Sequence, residues 1–270
     1  CYKKLNMSKK NSSVNLKDSF KNHKDLSKIF LDFKSKLDTL NKKNYVVGVS
    51  GGPDSLALAA LTKAYSYQKK TSFQYVLVDH NIRKNSNYEA QQVKNLLKKK
   101  NISLKIFINK KIIKKNIQAE ARKARYGILV KYCKKNNIKV IITAHNLEDQ
   151  VETFFIRLSR GSGLRGLSAM KPFSKLDSNV YLYRPLLNIK KNFLVKISKK
   201  TFGKFFRDPS NRNTKYLRTK IRSLKKPLEK SGIKYEQIYR SIFNLSASKN
   251  TLDSFVNKNF EKLIKKGNKE

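Results

Sequence analysis

The sequence predicts an α/β protein: a parallel sheet with helices on both faces, followed by a small helical part at the C-terminal end. Three observations support this prediction. From residue 45 to about residue 159, short apolar runs alternate with helical patterns, which is the order of parallel strands joined by crossover helices. Beyond residue 189 the pattern is mostly helical. The length of 270 residues suffices for one good-sized α/β domain and a smaller unit.

Each of four predicted strands is followed by a predicted helix. The strands are YVVGVS (45–50), YVLVD (75–79), SLKIFI (103–108) and KVIITAH (139–145). The corresponding helices begin at Pro53, run from about Asn87 to Lys100, run from about Gln118 to Lys135, and end at about Ser159. Residues 161–180 are loop-rich, and YLYRPLL (181–187) is a candidate further strand. Pro227 and Gly232 mark the expected break in the C-terminal helices.

Polar residues stand at the ends of three of these strands. They are Ser50, Asp79, His80 and His145. Ligands of parallel sheets bind beyond the carboxyl ends of the strands. We therefore expect the chemistry of this protein at that edge of the sheet.

The first strand leads into Ser50-Gly51-Gly52-Pro53-Asp54-Ser55, which has the features of a phosphate-binding loop. The two glycines let an anion approach the backbone, and Pro53 suits a first helical turn, where its missing N–H costs nothing. The serine hydroxyls and the helix N-terminus add donors for phosphate or pyrophosphate. The loop lacks the Lys of a Walker A motif. The alternative is an ordinary Gly-Gly-Pro turn.

The segment TAHNLEDQVET (143–153) is the second informative motif. On a helix, His145, Asp149 and Glu152 fall at i, i+4 and i+7, so an imidazole and two carboxylates share one face. Such a face can hold a metal, orient an ammonium group or accept protons. The alternative is a solvated helix with an ordinary acidic stretch.

Two pairs of arginines have helical spacing. Arg122 and Arg125 lie one turn apart, with Tyr126 beside them, and two guanidinium groups suit phosphate or a developing negative charge. Arg218 and Arg222 stand at i and i+4. For both pairs the alternative is a basic helix surface.

Two shorter segments add weaker signals. Ser210 and Asn211 are candidate caps for the helix that carries the second arginine pair. Asp79, His80 and Arg83 follow the second strand and suggest a nucleotide or metal contact.

The charge indicates a polyanionic partner such as nucleic acid. There are 62 Lys and Arg residues against 18 Asp and Glu, a formal net charge of +44. Fifty of the basic residues are Lys, and Asn is also abundant, so AT-rich codons explain part of the excess. The arginines are more informative about function. Against a codon bias towards Lys, Arg should appear mainly where a planar, bidentate cation is needed and Lys cannot replace it. Eleven of the twelve lie between Arg83 and Arg222.

Cysteine usage and hydropathy predict a cytoplasmic protein. Cys1 and Cys133 form no CxxC pair and no disulfide framework, which suits a reducing compartment. No apolar run reaches membrane-spanning length, and the N-terminal residues lack the apolar core of a signal peptide, so no membrane partner is expected. The chain begins with Cys1, so either Met7 is the true start or the chain is a fragment.

These motifs together resemble one enzyme family. The loop 50–55 resembles the SGGxDS pyrophosphate loop of the N-type ATP pyrophosphatases, a family with a Rossmann-like sheet. The order SGGPDS, VDHNIR, QAEARKARY, TAHNLEDQVET with RGSG, YRPLL and DPSN…YLRTKIR is similar to that of the tRNA(Ile)-lysidine synthetases. The resemblance covers about residues 45–222.

Membership of that family would imply a ligase. ATP adenylates the C2 oxygen of the wobble cytidine in the CAU anticodon of isoleucine tRNA, and the amine of free lysine then attacks C2 and expels AMP. The resemblance thus implies ATP and Mg²⁺ as co-substrate and metal, tRNA and lysine as partners, and a catalytic domain at 42–225. A basic extension with a helix (1–41) precedes it and a basic helical tail (226–270) follows. A homodimer is compatible with the sequence.

The resemblance also assigns roles to residues. ATP binding falls to Ser50, Gly51, Gly52, Pro53, Asp54, Ser55, Asp79 and Arg122. Asp54 would stand near Mg²⁺, and the catalytic group would be Asp54, Arg125, His145, Asp149 and Glu152. Which of the last two carboxylates binds lysine and which removes its proton stays open. The tRNA-binding residues would be Arg160, Arg165, Arg184, Arg218 and Arg222.

Three other functions are alternatives to this one. An amide-forming relative that acts on small acids would not need so basic a surface. A related tRNA thiolase would generally need active-site cysteines, and Cys133 stands mid-helix without a partner cysteine. A non-catalytic RNA-binding relative would be expected to have lost Asp149 and Glu152, and both are present. Longer family members carry additional C-terminal tRNA-binding domains. We therefore expect this chain to differ from them more in how it selects tRNA than in its ATP chemistry.

Overall fold

The structure is a computed structural model that describes residues 23–83, 85–110, 116–206 and 216–267. The helices and strands follow one another in this order: α1 (Lys24–Leu40), β1 (Asn44–Val49), α2 (Pro53–Ser66), β2 (Ser72–Asp79), α3 (Ser86–Lys98), β3 (Leu104–Ile108), α4 (Ile117–Lys135), β4 (Val140–Ile142), α5 (Leu147–Leu158), α6 (Leu164–Leu167), β5 (Phe173–Asp177), β6 (Val180–Tyr183), α7 (Lys191–Phe202), α8 (Leu217–Ser223), α9 (Lys225–Lys230) and α10 (Tyr235–Gly267).

The chain forms two compact units. The first, the sheet unit, comprises Cys1–Asn146 and Pro172–Asp208, and the second, the helical unit, comprises Leu147–Lys171 and Pro209–Glu270. The units are defined by contacts, so the division into functional domains at 42 and 226 stays a prediction.

The sheet unit contains a six-stranded sheet in the order β3-β2-β1-β4-β6-β5. Every pairing is parallel except that of β5 with β6. The predicted parallel α/β fold is therefore confirmed, including a strand within YLYRPLL. β2 and β3 lie on one side of β1 and β4 lies on the other, so the strand order reverses between β1 and β4.

Both faces of this sheet are covered by helices. Tyr45 and Val47 face a core built with α1, α2, α3 and α7, whereas Val46 and Ile141 face a second core built with α4. Strands buried on both faces need consecutive apolar residues. For this reason VVGV in β1 and VII in β4 do not alternate between apolar and polar residues. In α1, Phe33 and Leu37 are buried in the first core, so this predicted N-terminal helix belongs to the sheet unit.

β5 lies in the segment predicted to be loop, and that part of the prediction is wrong. Phe173–Asp177 is an edge strand that pairs antiparallel with β6 and contains a register shift between Lys175 and Asp177. Edge strands have one neighbour and need little apolar patterning. The pairing to β6, and not the local sequence, makes this segment a strand.

The helical unit has a small core. Leu147, Val151 and Tyr235 are buried there, and Phe155 and Leu228 pack against them. Gly232, with φ +88°, lies at the break before α10, as predicted. Pro227 instead stands in the first turn of α9, where its missing N–H costs nothing. The predicted caps Ser210 and Asn211 lie outside the described residues.

Among the described residues, every helix is either too short or too polar to cross a membrane.

Candidate functional site

The loop that joins β1 to α2 is held in shape by its own serines. The Ser55 hydroxyl donates to the Gly52 carbonyl oxygen at 3.0 Å. It also accepts the Ser50 backbone N–H at 3.1 Å and the Ser50 hydroxyl at 3.2 Å. α2 begins at Pro53, as predicted. The loop is thus preorganised around the N-terminus of a 14-residue helix, the arrangement that favours a phosphate.

Gly51 is required by both its backbone and its surroundings. Its φ is +80°, a conformation that L side chains rarely adopt. A Cβ at this position would lie 2.5 Å from Val93 Cγ2 and 3.4 Å from Phe206 Cδ2. The Phe206 N–H donates to the Gly51 carbonyl oxygen at 3.0 Å. The loop is therefore pressed against α3 and against the chain that follows α7.

A lysine lies beside this loop. Lys191 Nζ, in the first turn of α7, is 3.4 Å from Asp54 Oδ2. The sequence pattern does not single out Lys191, because one lysine among fifty gives no local signal. Together with the helix N-terminus, it adds positive potential where an anion would bind.

Asp79 ends β2 with a buried carboxylate, 5% exposed. Its Oδ1 accepts the Asn81 backbone N–H at 2.9 Å, and its buried Oδ2 has no hydrogen-bond partner among the described residues. Arg83 forms a bidentate pair with Glu89, at 3.1 and 2.8 Å. Asp79 therefore keeps its predicted place at the sheet edge, whereas Arg83 is held by α3.

The strand β4 brings a second polar group to the same edge. β1 and β4 are neighbours, with Val47 opposite Ile142, so the residues after both strands emerge side by side. The strand order reverses here, and such switch points are where open parallel sheets bind ligands. Thr143 Oγ1 lies 2.9 Å from His145 Nδ1 in the segment after β4.

His145 does not share a helical face with Asp149 and Glu152, so that prediction is wrong in part. α5 begins at Leu147, two residues after the histidine. The Thr143 N–H still donates to the Tyr183 carbonyl oxygen at 3.0 Å, which extends the strand pairing past Ile142 and delays the helix. Asp149 and Glu152 do lie within α5, one turn apart.

Two arginines of α8 enclose Glu152 in the helical unit. Arg218 Nε is 2.9 Å from Oε2, and Arg222 donates from Nε and Nη2 at 2.7 and 3.0 Å. The Glu152 side chain is 2% exposed. A carboxylate this buried needs such bidentate, charge-assisted partners. Glu152 is thus committed to holding α8 against α5.

The other two acids of α5, Asp149 and Glu148, have different surroundings. Asp149 Oδ1 is 4.0 Å from Arg218 Nη2, and the Asp149 side chain is 24% exposed. Glu148, which the sequence analysis did not single out, accepts from Lys225 Nζ at 2.9 Å. Burial, followed by the charges of Glu152 and Glu148, raises the pKa of Tyr235 to about 12, so its hydroxyl stays neutral. Asp149 is the most accessible of the three carboxylates.

The remaining predicted arginines differ in accessibility. Arg122 and Arg125 are exposed on α4, and the Arg122 guanidinium lies 4.9 Å from the Tyr126 ring centroid. Arg184 is buried, 8% exposed, and donates to Ser174 Oγ at 3.0 Å. Its predicted contact with tRNA phosphates is not supported, because a buried guanidinium does not present itself to a large ligand.

The turn after α5 exposes two further arginines. Arg160 is exposed, and the Arg165 side chain is 81% exposed with Asp253 Oδ1 at 3.5 Å. Arg157, missed by the sequence analysis, donates to the carbonyl oxygens of Gly166 and Ala169 at 2.7 and 2.8 Å. Arg157 therefore shapes this turn, and Arg160 and Arg165 are available to phosphates.

Residues 22–228 match the sequence profile of the PP-loop domain. This chain belongs to the PP-loop family. We call the segment 50–55, which resembles the pyrophosphate loop of that family, the PP-loop.

Two curated proteins that are similar to this chain have the same name. The chain is 43% identical over 185 residues to a tRNA(Ile)-lysidine synthase of Orientia tsutsugamushi (strain Boryong), a match that covers 67% of this chain and 41% of the relative. It is 40% identical over 195 residues to a tRNA(Ile)-lysidine synthase of Wolbachia pipientis wMel, covering 71% of this chain and 45% of the relative. The chain thus spans less than half the length of these two relatives.

A solved structure supports the fold of this PP-loop protein. The U34-tRNA thiolase NcsA from Methanococcus maripaludis superposes with a TM-score of 0.69 at 20% identity, over 86% of this chain and 80% of that one. At this identity the similarity concerns the fold alone.

The PP-loop contributes one carboxylate, that of Asp54, as a candidate metal ligand. Among the described residues, no group of three or more His, Cys, Asp or Glu side chains could hold a metal ion. Mg²⁺ bound to nucleotide phosphates needs only one or two protein carboxylates. Asp54, in the first turn of α2, has the oxygen ligands for that role.

Proposed function

We propose that this chain carries the ligase activity of a tRNA(Ile)-lysidine synthase. The observation on which the proposal rests is the 43% and 40% identity to two enzymes of that name, in a chain with an intact PP-loop. The reaction would convert ATP, lysine and the wobble cytidine of a CAU anticodon into lysidine, AMP and pyrophosphate.

The sheet unit would bind ATP. The PP-loop would hold the leaving pyrophosphate with its backbone N–H groups and with the helix N-terminus. Asp54 would contribute an oxygen ligand to Mg²⁺, which neutralises phosphate charge when bound with ATP. Asp79 and Arg122 remain our candidates for further nucleotide contacts, and Arg125 for neutralising charge on the phosphates as it develops.

The first covalent step would form a bond between the C2 oxygen of cytidine and the α-phosphorus of ATP, while the bond to pyrophosphate breaks. In the second step the neutral ε-amine of lysine forms a bond to C2, and the C2 oxygen leaves in AMP. The amine must lose a proton before it can attack. His145, Asp149 and Glu152 are the predicted catalytic residues for this step.

The structure favours different roles for the two carboxylates. The Asp149 side chain is 24% exposed, which suits binding of the lysine ammonium group. Glu152 already accepts three hydrogen bonds from Arg218 and Arg222. We propose that Asp149 binds lysine and that Glu152 positions α5 and α8.

The tRNA would contact exposed arginines. Arg160 and Arg165 have the exposure that phosphate contacts need. Arg218 and Arg222 are also predicted to bind tRNA, but each already donates at least one hydrogen bond to Glu152. We therefore rank Arg160 and Arg165 above them. A cytoplasmic location and a homodimer are further proposals, the second testable by sedimentation.

The thiolase alternative is not favoured by the cysteines of this sequence. Cys133 is free and buried, and burial raises its pKa to about 12, which leaves it an unreactive thiol. The second cysteine, Cys1, lies outside the described residues.

The decisive experiment incubates the full chain with ATP, radiolabelled lysine and a transcript of isoleucine tRNA with the CAU anticodon. We expect ATP-dependent label in the RNA and release of AMP and pyrophosphate. A transcript with uridine at the wobble position is the matched control and should stay unlabelled. ADP and phosphate as the main products, or label without ATP, would refute the proposal.

A further inference from the structure

The segment 159–170 follows α5 and is closely packed, although its sequence is one that leaves a chain flexible. Three of its residues are glycines, and glycine restricts the backbone least. A Cβ on Gly166 would lie 2.5 Å from Ser162 Cβ, so the chain approaches itself more closely here than a side chain allows. We call this segment the arginine loop, because it carries the exposed Arg160 and Arg165.

One residue of the arginine loop has a strained backbone. Ala169 has a φ of +50°, in the left-handed region that residues with a Cβ rarely adopt. Every other non-glycine residue with positive φ in the described part of the chain is Asn, whose side chain eases this conformation by local hydrogen bonds. An alanine has no such side chain. It stays in this region only where its neighbours hold it there, and such positions cluster at ligand-binding segments.

Two side chains of α5 hold the backbone on both sides of this strain. Arg157 Nη1 donates to the carbonyl oxygens of Gly166 and Ala169 at 2.7 and 2.8 Å. The buried Gln150 donates from Nε2 to the Met170 carbonyl oxygen at 2.9 Å and accepts the Met170 N–H at 2.8 Å. The conformation of the arginine loop is therefore determined from α5.

This arrangement concentrates positive charge on a fixed backbone. Within the described ranges, the hydrogen-bond acceptors of the Arg157 side chain are carbonyl oxygens, which do not neutralise its charge. Arg160 and Arg165 add two further charges on the same loop. A ligand that binds a loop already held in shape does not have to order that loop, and its affinity is higher for that reason.

We propose that Arg157 and Gln150 are positioning residues that hold the arginine loop in the conformation in which Arg160 and Arg165 meet RNA phosphates. The ligand is the sugar–phosphate backbone, because phosphate contacts fix position without reading sequence. That the RNA is a tRNA rests on the proposed function, whereas the geometry of the loop does not.

The experiment uses two substitutions that leave the net charge unchanged. Arg157→Lys keeps the cation but is one atom shorter and lacks the planar fork. Gln150→Met keeps the unbranched shape and removes both hydrogen bonds to Met170. Filter binding of the CAU-anticodon isoleucine tRNA transcript is measured over a range of salt concentrations.

Both variants should bind the transcript about tenfold more weakly, with a plot of log affinity against log salt that is shallower by about one unit. This loss of slope occurs without loss of charge, so a purely electrostatic role of Arg157 does not produce it. Arg240→Lys, at an exposed position of α10, is the matched control and should bind within about twofold of the unsubstituted chain. An unchanged slope in Arg157→Lys and Gln150→Met would overturn the proposal.

A double-mutant cycle separates positioning from direct contact. If Arg157 acts through Arg160 and Arg165, adding Arg157→Lys to a variant with alanine at both positions should change the affinity by less than about twofold. Additive losses would mean that Arg157 binds the RNA by itself, which would overturn the proposal.

Hydrogen exchange tests the unsubstituted chain, and it decides the matter should both variants fail to fold. The N–H of Ala169 donates to the Gly166 carbonyl oxygen at 3.0 Å, and that of Met170 donates to Gln150. Both amides should be protected from exchange in the absence of RNA, as those within α5 are. Rapid exchange of both would show that the loop is not held in shape.

These measurements require no ligase activity. A chain that binds the transcript but transfers no lysine would contradict the proposed function, whereas the salt slopes and the cycle would still decide the roles of Arg157 and Gln150.

Discussion

Single residues define this site more sharply than its composition does. Gly51 combines a φ of +80° with a neighbour that leaves no room for a Cβ. Asp149 and Glu152 belong to one residue class and one helix, yet one is 24% and the other 2% exposed. Their environments separate their roles.

Gly51→Ala should destabilise the protein and abolish ATP binding. The alanine would need a strained backbone and would press on Val93, at a cost of about 1–3 kcal/mol. Chemical denaturation and equilibrium binding of ATP measure the two effects.

Gly127→Ala is the matched control for that change. Gly127 lies within α4, and a Cβ there meets nothing within 4 Å. Because alanine is the better helix former, this variant should be more stable by about 0.5–1 kcal/mol, with ATP binding unchanged. Equal behaviour of the two variants would show that the PP-loop tolerates a side chain.

Asp149→Asn should abolish transfer of lysine while the fold stays intact. The amide keeps the shape of the side chain but loses the charge that binds an ammonium group. We expect a loss of about a hundredfold or more in rate. Single-turnover transfer of labelled lysine measures it, and thermal unfolding checks the fold. A variant with normal turnover and unchanged lysine dependence would place Asp149 on an ordinary solvated helix.

Among the helices, strands and loops, the sequence predicts those whose conformation is determined by their own residues. The PP-loop, α2 and the strands β1 to β4 follow from apolar runs and from glycine and proline positions. β5 was missed because its strand character depends on β6. The spacing of His145 from Asp149 fits a helix, but the hydrogen bond of the Thr143 N–H to Tyr183 continues the strand pairing one residue past Ile142, and α5 begins only at Leu147. The contacts of Glu152 with Arg222 and of Asp54 with Lys191 join distant segments, so no local pattern reveals them.

Glu152→Gln should loosen α8 from α5. The substitution leaves two guanidinium groups facing a neutral amide. We expect the free energy of unfolding to fall by about 2–3 kcal/mol. This is less than for a fully buried ion pair, because both arginines are partly exposed. Urea denaturation of the full chain gives the change. Glu229→Gln is the control, because Glu229 belongs to the same unit on the exposed side of α9 and should lose less than about 0.5 kcal/mol. Equal stability of the two variants would show that the contacts of Glu152 with Arg218 and Arg222 do not stabilise the packing of α8 on α5.

The whole molecule is dominated by its charge of +44. Such a field attracts any nucleic acid, so affinity alone says little about a specific tRNA surface. The salt dependence of binding is more informative, because each phosphate contact releases counterions.

Replacing Arg160 and Arg165 together by Ala should weaken binding of every CAU-anticodon tRNA about equally. Loss of two phosphate contacts should make the plot of log affinity against log salt shallower by roughly 1.5 units. The double variant Lys24→Ala and Lys28→Ala removes the same charge from exposed positions of α1 and should change the slope less. Filter binding over a range of salt concentrations distinguishes the two. Identical slopes would mean that these arginines only solvate the surface.

The contact between Phe206 and Gly51 also bears on when the protein acquires its PP-loop. The Gly51 carbonyl oxygen accepts its hydrogen bond from a residue that follows five further strands and α7. A contact so distant along the chain forms late, because closing a long loop costs entropy before the contact repays it. A growing polypeptide that already contains SGGPDS therefore still lacks the Phe206 contact that packs against Gly51. We therefore expect the loop 50–55 to reach its final conformation only after synthesis has passed Phe206.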